Sequence, residues 1–126
     1  LTLLLGKQTT APEIESFFIL RLRPGFDGRN GVAGIETKFP FPPGYSNMGN
    51  SLEAPGFSNN KKNNRIAVTI KKAGETLQVF IDKNKIAEIK KAVPAAHSFN
   101  YLSFNSGGNS GDNDVYYISN IKITKE

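Results

Sequence analysis

The chain has 126 residues, of which 38% are hydrophobic, and its formal net charge is +5 at pH 7. This length allows one domain with a single core, and the hydrophobic content is typical of a globular protein and excludes a disordered one. Cysteine is absent, which excludes disulfides and thiol chemistry, and no apolar run approaches the roughly 20 residues of a membrane helix, so we expect no transmembrane segment.

The first half of the chain contains three predicted strands followed by a long loop. Residues 1–5 are leucines apart from Thr2 but lack the basic region and cleavage site of a signal peptide, so we predict a strand there. Ser16–Arg23 alternates in period two, and residues 32–39 form the next predicted strand. Residues 40–64 are rich in Pro, Gly and Asn and show no periodicity, which predicts a loop.

Three further alternating runs predict an antiparallel meander. Apolar residues recur at every second position in residues 66–71 and again in residues 77–82. The connection between these runs contains Gly74, which can adopt the positive φ that a tight hairpin needs. A second turn leads into a short return strand over residues 86–89.

Two more predicted strands close the chain. Residues 99–105 alternate so that Leu102 and Phe104 face inward and Tyr101 faces outward. Residues 114–125 form a longer run whose pattern shifts phase, which a β-bulge would reconcile. Eight short strands separated by turn-forming residues predict an all-β, two-sheet antiparallel sandwich.

The second half of the chain resembles the concanavalin A-like or laminin G-like jelly-roll superfamily. Residues 65–70 and 77–86 are similar to its hairpin, in which an aliphatic strand leads into a hydrophobic-x-hydrophobic-Asp sequence. Residues 116–123 are similar to its final strand. The resemblance implies one jelly-roll domain over residues 1–126, similar to the domain that precedes outer-membrane protein A-type regions in Bacteroidetes envelope proteins.

Domains of this superfamily are usually longer, so the resemblance also implies that the chain is a fragment of a longer protein and that N-terminal strands are missing from it. A missing strand would leave an open sheet edge, through which two chains could pair as a dimer. The superfamily includes lectins, glycosidases, adhesion modules and spacers, so the fold alone does not identify the function.

A sugar-binding face needs aromatic rings beside groups that form hydrogen bonds, and outward-facing residues of the predicted strands and loops supply both. The alternative is that the rings are half-buried residues of the sandwich with no ligand. The predicted ligand-binding residues are Arg21, Gln78, Phe80, Tyr101, Asn105 and Tyr116.

Asp112 and Asp114 could offer oxygen ligands to Ca²⁺, and laminin G-like domains often bind calcium at a loop rim. The alternative is a simple turn, because Asp and Asn are common turn formers. No other cofactor is expected. Glu13 and Glu15 alternate, as glycosidase carboxylates do, but no third acid follows on the same strand. No Ser/His/Asp constellation surrounds the lone His97, so we predict that the chain is not an enzyme.

The positive charge is concentrated in residues 61–91, where nine basic residues outnumber three acidic ones. Lysine predominates and no aromatic residues are interleaved in the way that RNA-binding surfaces require, so nucleic acid is not an expected partner. Anionic lipid or an acidic polysaccharide would suit such a stripe. The simpler interpretation is that these lysines protect exposed sheet edges.

Together these observations predict a non-catalytic binding module of the cell envelope (periplasmic or outer-membrane associated) or of secreted proteins, with carbohydrate or another envelope component as its partner. A structural spacer or protein-interaction domain is the first alternative. An enzyme of the glycoside hydrolase type is the last alternative, because no catalytic carboxylate pair is evident.

Overall fold

The computed structural model describes residues 1–8, 16–25, 28–39, 45–47, 49, 52–55, 57, 65–93, 95, 98–105 and 117–124. This part of the chain forms nine strands and no helix, which confirms the predicted all-β class. Accordingly, no helix within these ranges has the length and apolar character needed to cross a membrane.

The strands are antiparallel and form two sheets. Their bounds are β1 (Thr2–Lys7), β2 (Ser16–Arg23), β3 (Gly31–Lys38), β4 (Tyr45–Asn47), β5 (Leu52–Ala54), β6 (Val68–Ala73), β7 (Thr76–Ile81), β8 (Asn84–Ile89) and β9 (Tyr101–Asn105). The six-stranded sheet has the order β4-β3-β2-β1-β9, with β5 also paired to β3. The three-stranded sheet has the order β6-β7-β8.

The two sheets share one hydrophobic core, as in a sandwich. Phe18, Leu20 and Ile35 project into this core from the six-stranded sheet, and Leu77 and Val79 project into it from the three-stranded sheet. All five side chains are almost completely buried. The alternation of apolar residues in the sequence therefore follows directly from one face of each strand being covered by the opposite sheet.

The predicted meander is confirmed, since β6, β7 and β8 pair in succession. The predicted strand Ser16–Arg23 coincides with β2. The prediction of an uninterrupted loop over residues 40–64 is wrong, because β4 and β5 lie within it and pair with β3. Each has three residues, too few for period-two alternation to be recognised in the sequence.

The predicted final strand is wrong over the part that the structure describes. Residues 117–124 belong to no strand, and all of them are exposed. Asn120, where the sequence pattern shifts phase, has a positive φ of 56°. The segment has a strand-like sequence, but a strand forms only where it can pair, and the described strands pair among themselves without it.

Candidate functional site

Strand β1 lies between β2 and β9 and aligns their outward-facing residues. On β2, Phe18 is buried in the core, so its neighbour Phe17 faces outward. Gly6 of β1 lies directly opposite Phe17 on one side and directly opposite Tyr101 of β9 on the other. The outer face of the six-stranded sheet therefore carries two aromatic residues on either side of a glycine.

The two aromatic residues are separated by two strand spacings, so their Cα atoms are roughly 10 Å apart. Gly6 places no side chain between them and is itself buried, whereas Phe17 and Tyr101 are both partly exposed. A flat ligand would therefore contact the rings and would not reach the backbone beneath them.

A polar row crosses the same three strands further along the face. Thr2 of β1 lies opposite Arg21 of β2 and opposite Asn105 of β9. Thr2 and Gly6 are four residues apart on one strand, which places this row about 13 Å from the aromatic pair. Ile19, Leu4 and Ser103 form the row between them. The structure thus brings three of the predicted ligand-binding residues, Arg21, Tyr101 and Asn105, onto one sheet face.

An ion pair fixes the position of Arg21 on this face. Its Nη2 lies 2.5 Å from Oε2 of Glu36 on β3. The Glu36 side chain is 14% exposed and the Arg21 side chain is 41% exposed. A guanidinium group carries five N–H donors, so an arginine held in this way can also donate hydrogen bonds to a ligand above the sheet.

Gln78 and Phe80 lie on the opposite side of the molecule. Both alternate on β7 with the buried Val79, so they face outward from the three-stranded sheet. The Nζ atom of Lys71 lies 5.3 Å from the centroid of the Phe80 ring, within the range of a cation–π contact. Gln78 Nε2 donates to Glu88 Oε1 at 2.7 Å. The six predicted residues therefore do not form one site.

Glu88 has a second partner on the outer face of the three-stranded sheet. Lys85 Nζ lies 3.3 Å from the same Glu88 oxygen. The hydrogen bond from Gln78, followed by the hydrogen bond and charge of Lys85, lowers the pKa of Glu88 below its ordinary value. These contacts link neighbouring side chains of β7 and β8, so we interpret them as stabilising contacts within the sheet.

Tyr116, Asp112 and Asp114 lie outside the described residues. The predicted calcium ligands therefore have no structural account. Within the described part of the chain, no group of three His, Cys, Asp or Glu residues could hold a metal ion.

Phe17 and Gly6 were not among the residues predicted from the sequence. Alternation within Ser16–Arg23 was sufficient to place Phe17 on the outward face. Nothing in the sequence indicated that β1 would separate β2 from β9, and only this pairing places Phe17 across from Tyr101. The aromatic pair therefore arises from the order of the strands in the sheet and could not be recognised from the sequence.

No protein-family model matches this chain, and no curated protein or solved structure matches it either. The outer face of β1, β2 and β9 brings together two aromatic rings, a guanidinium, an amide and hydroxyls, with the aliphatic side chains of Leu4 and Ile19 between the rings and the polar row. Such groups bind a polar ligand by stacking and hydrogen bonding.

Proposed function

We propose that the protein is a non-catalytic carbohydrate-binding module of the jelly-roll type, acting in the cell envelope or after secretion. Its binding site would be the outer face of β1, β2 and β9. The observation that carries this proposal is the placement of Phe17 and Tyr101 on either side of Gly6. Two partly exposed rings on one sheet face provide a stacking platform for the apolar faces of sugar rings.

The polar row completes the proposed site. Arg21 and Asn105 would orient sugar hydroxyls at the end of the face away from the rings. The distance of about 13 Å between the aromatic pair and this row is longer than one sugar ring. An oligosaccharide lying along β1 therefore fits the face better than a monosaccharide does.

The proposal is tested by screening the protein on an array of envelope glycans and measuring the affinity of each hit by calorimetry. Phe17→Ala and Tyr101→Ala should each weaken binding by about tenfold or more, because each removes a stacking surface. Phe80→Ala is the matched control, because it removes an outward-facing ring from the three-stranded sheet.

Loss of binding in Phe80→Ala, with binding retained in Tyr101→Ala, would move the site to the opposite face. Failure to bind any glycan would favour the alternative of a structural spacer or protein-interaction domain. Circular dichroism of each variant shows whether the β-sheet structure is retained, which separates a lost contact from a lost fold.

A further inference from the structure

One side of the sandwich is less completely covered than the other. Strand β8 contacts β5, which pairs with β3, so the three-stranded sheet begins at that end of the larger sheet. Its other edge, β6, then lies toward β1 and β9. A three-stranded sheet is narrower than a six-stranded one, so the β1–β9 end extends past it.

The burial of inward-facing residues follows this geometry on the six-stranded sheet, whereas on the three-stranded sheet both edges are half-buried, since Ala87 and Ile89 of β8 are also partly exposed. Leu102 and Phe104 of β9 have the same inward parity as the core residues of β2 but are only half-buried. On β6, Val68 and Ile70 are also half-buried, although their cross-strand partners Ile81 and Val79 are completely buried. The half-buried residues of β6 and β9 thus border an apolar opening between the sheets.

Within the described sheets, strand β6 also has a hydrogen-bonding edge without a partner strand. Among the described strands it pairs with β7 on one side and with none on the other. The backbone groups along such an edge can accept another strand, which would extend the three-stranded sheet over the apolar opening.

Residues 117–124 have the properties of a strand that could pair with this edge of β6. Tyr117 is 91% exposed, Ile121 59% and Ile123 80%, although isoleucine and tyrosine favour strands. Asn120 has a positive φ, as the first residue of one type of β-bulge does, and a bulge lets two residues count as one in the alternation. A strand with a bulge there would present Ile118, Ile121 and Ile123 on a single face.

We propose that residues 117–124 of one copy of the protein add as a strand to the free edge of β6 in a second copy. In the single chain, this segment stays exposed while the edge of β6 stays unpaired within the described strands. Reciprocal exchange of this segment gives the β6 edge of each copy a partner strand and produces a closed two-fold dimer. The isoleucine face would cover the opening beside Val68 and Ile70.

Sedimentation of the full chain over a wide concentration range tests the dimer. The mass should rise from 13.8 kDa toward twice that value. Ile123→Asp should weaken the dimer at least about tenfold, because it would place a carboxylate against the apolar opening. Thr124→Asp is the matched control, because it adds the same charge at the neighbouring exposed position with the opposite parity.

Hydrogen exchange measured at high and low concentration identifies the edge. Dimerisation should protect backbone amides of β6 and of residues 117–124, and Ile123→Asp should remove this protection. A wild-type chain that stays at 13.8 kDa at every concentration would overturn the proposal. This holds even if residues 117–124 are protected from exchange, because the protection would then arise within a monomer. A dimer that protects β9 and leaves β6 unchanged would overturn the assignment of the edge.

Discussion

Asp82 and Ala67 are joined by two hydrogen bonds in opposite directions. The Ala67 N–H donates to Oδ1 of Asp82 at 3.0 Å, and the Asp82 N–H donates to the Ala67 carbonyl at 2.7 Å. Asp82 has a positive φ of 54° in the turn between β7 and β8. One residue therefore both makes this turn and ties the chain just before β6 to it.

Asp82→Ala should lower the free energy of unfolding by about 1–2 kcal/mol, because it removes the acceptor and leaves a side chain at positive φ. Asp82→Asn is the matched control: it keeps Oδ1, tolerates the left-handed conformation, and should be close to wild type. Urea denaturation of both variants provides the comparison. Equal stability of Asp82→Ala and wild type would show that the side-chain hydrogen bond contributes nothing measurable.

The buried position of Val79 allows a test of which face of β7 lies between the two sheets. This residue is completely buried in the core between the sheets. Val79→Asp should unfold the domain, because a carboxylate without a partner cannot be accommodated there. Thr76→Asp introduces the same group at an outward-facing, partly exposed position of the same strand and should remain folded. A cooperative thermal transition in Val79→Asp would contradict the face assignment of β7.

Most of the fold could be predicted because alternation reports which face of a strand is covered. In β2 and β7 the residues at every second position are buried, as the sequence pattern requires. The short strands β4 and β5 could not be predicted, because their positions depend on the edges of β3. Residues 117–124 show the opposite error, a strand predicted where none forms. Their sequence pattern is that of a strand, but they pair with no strand of the described sheets.

The candidate site was harder to predict than the fold. Outward parity was correct for Arg21, Tyr101 and Phe80, but parity does not say which sheet a strand joins. Phe80 belongs to the three-stranded sheet, whereas Arg21 and Tyr101 belong to the six-stranded one. Long-range pairing decides this division, and alternation within single strands carries no information about it.

The contacts of Glu88 predict a dependence of stability on pH. Because its pKa is lowered in the folded state, chiefly by the hydrogen bond from Gln78, Glu88 contributes stability above the ordinary pKa of a glutamate. This contribution is lost as the pH falls through the lowered folded-state pKa. NMR titration should give a Glu88 midpoint below the ordinary value, and Gln78→Ala should move it upward.

Thermal melts across the same acidic range complete this test. Glu88→Gln should flatten part of the decline in stability on acidification, because its side chain does not titrate. Glu75→Gln, at an exposed position in the turn between β6 and β7, is the control for the loss of one carboxylate. A Glu88 midpoint unchanged by Gln78→Ala would show that the hydrogen bond does not stabilise the ionised form.

The role of Arg21 in binding, which rests on the proposed carbohydrate site, can be separated from its role in stability. Arg21→Lys keeps the charge beside Glu36 but removes the planar fork of donors. We expect glycan affinity to fall by about tenfold, the effect of roughly 1.4 kcal/mol of lost hydrogen bonding. Stability should change by less than about 1 kcal/mol, since a partly exposed ion pair contributes little.

Arg23→Lys is the matched control for this substitution. Arg23 is exposed on the same strand and the same face, but it lies opposite Val32 at the far end of β2 from Phe17. Calorimetry against the strongest glycan from the array should show wild-type affinity for Arg23→Lys. Equal losses in both variants would mean that the ligand accepts hydrogen bonds from guanidinium groups along this face without needing the polar row, because both substitutions keep the positive charge and only Arg21 is held by Glu36.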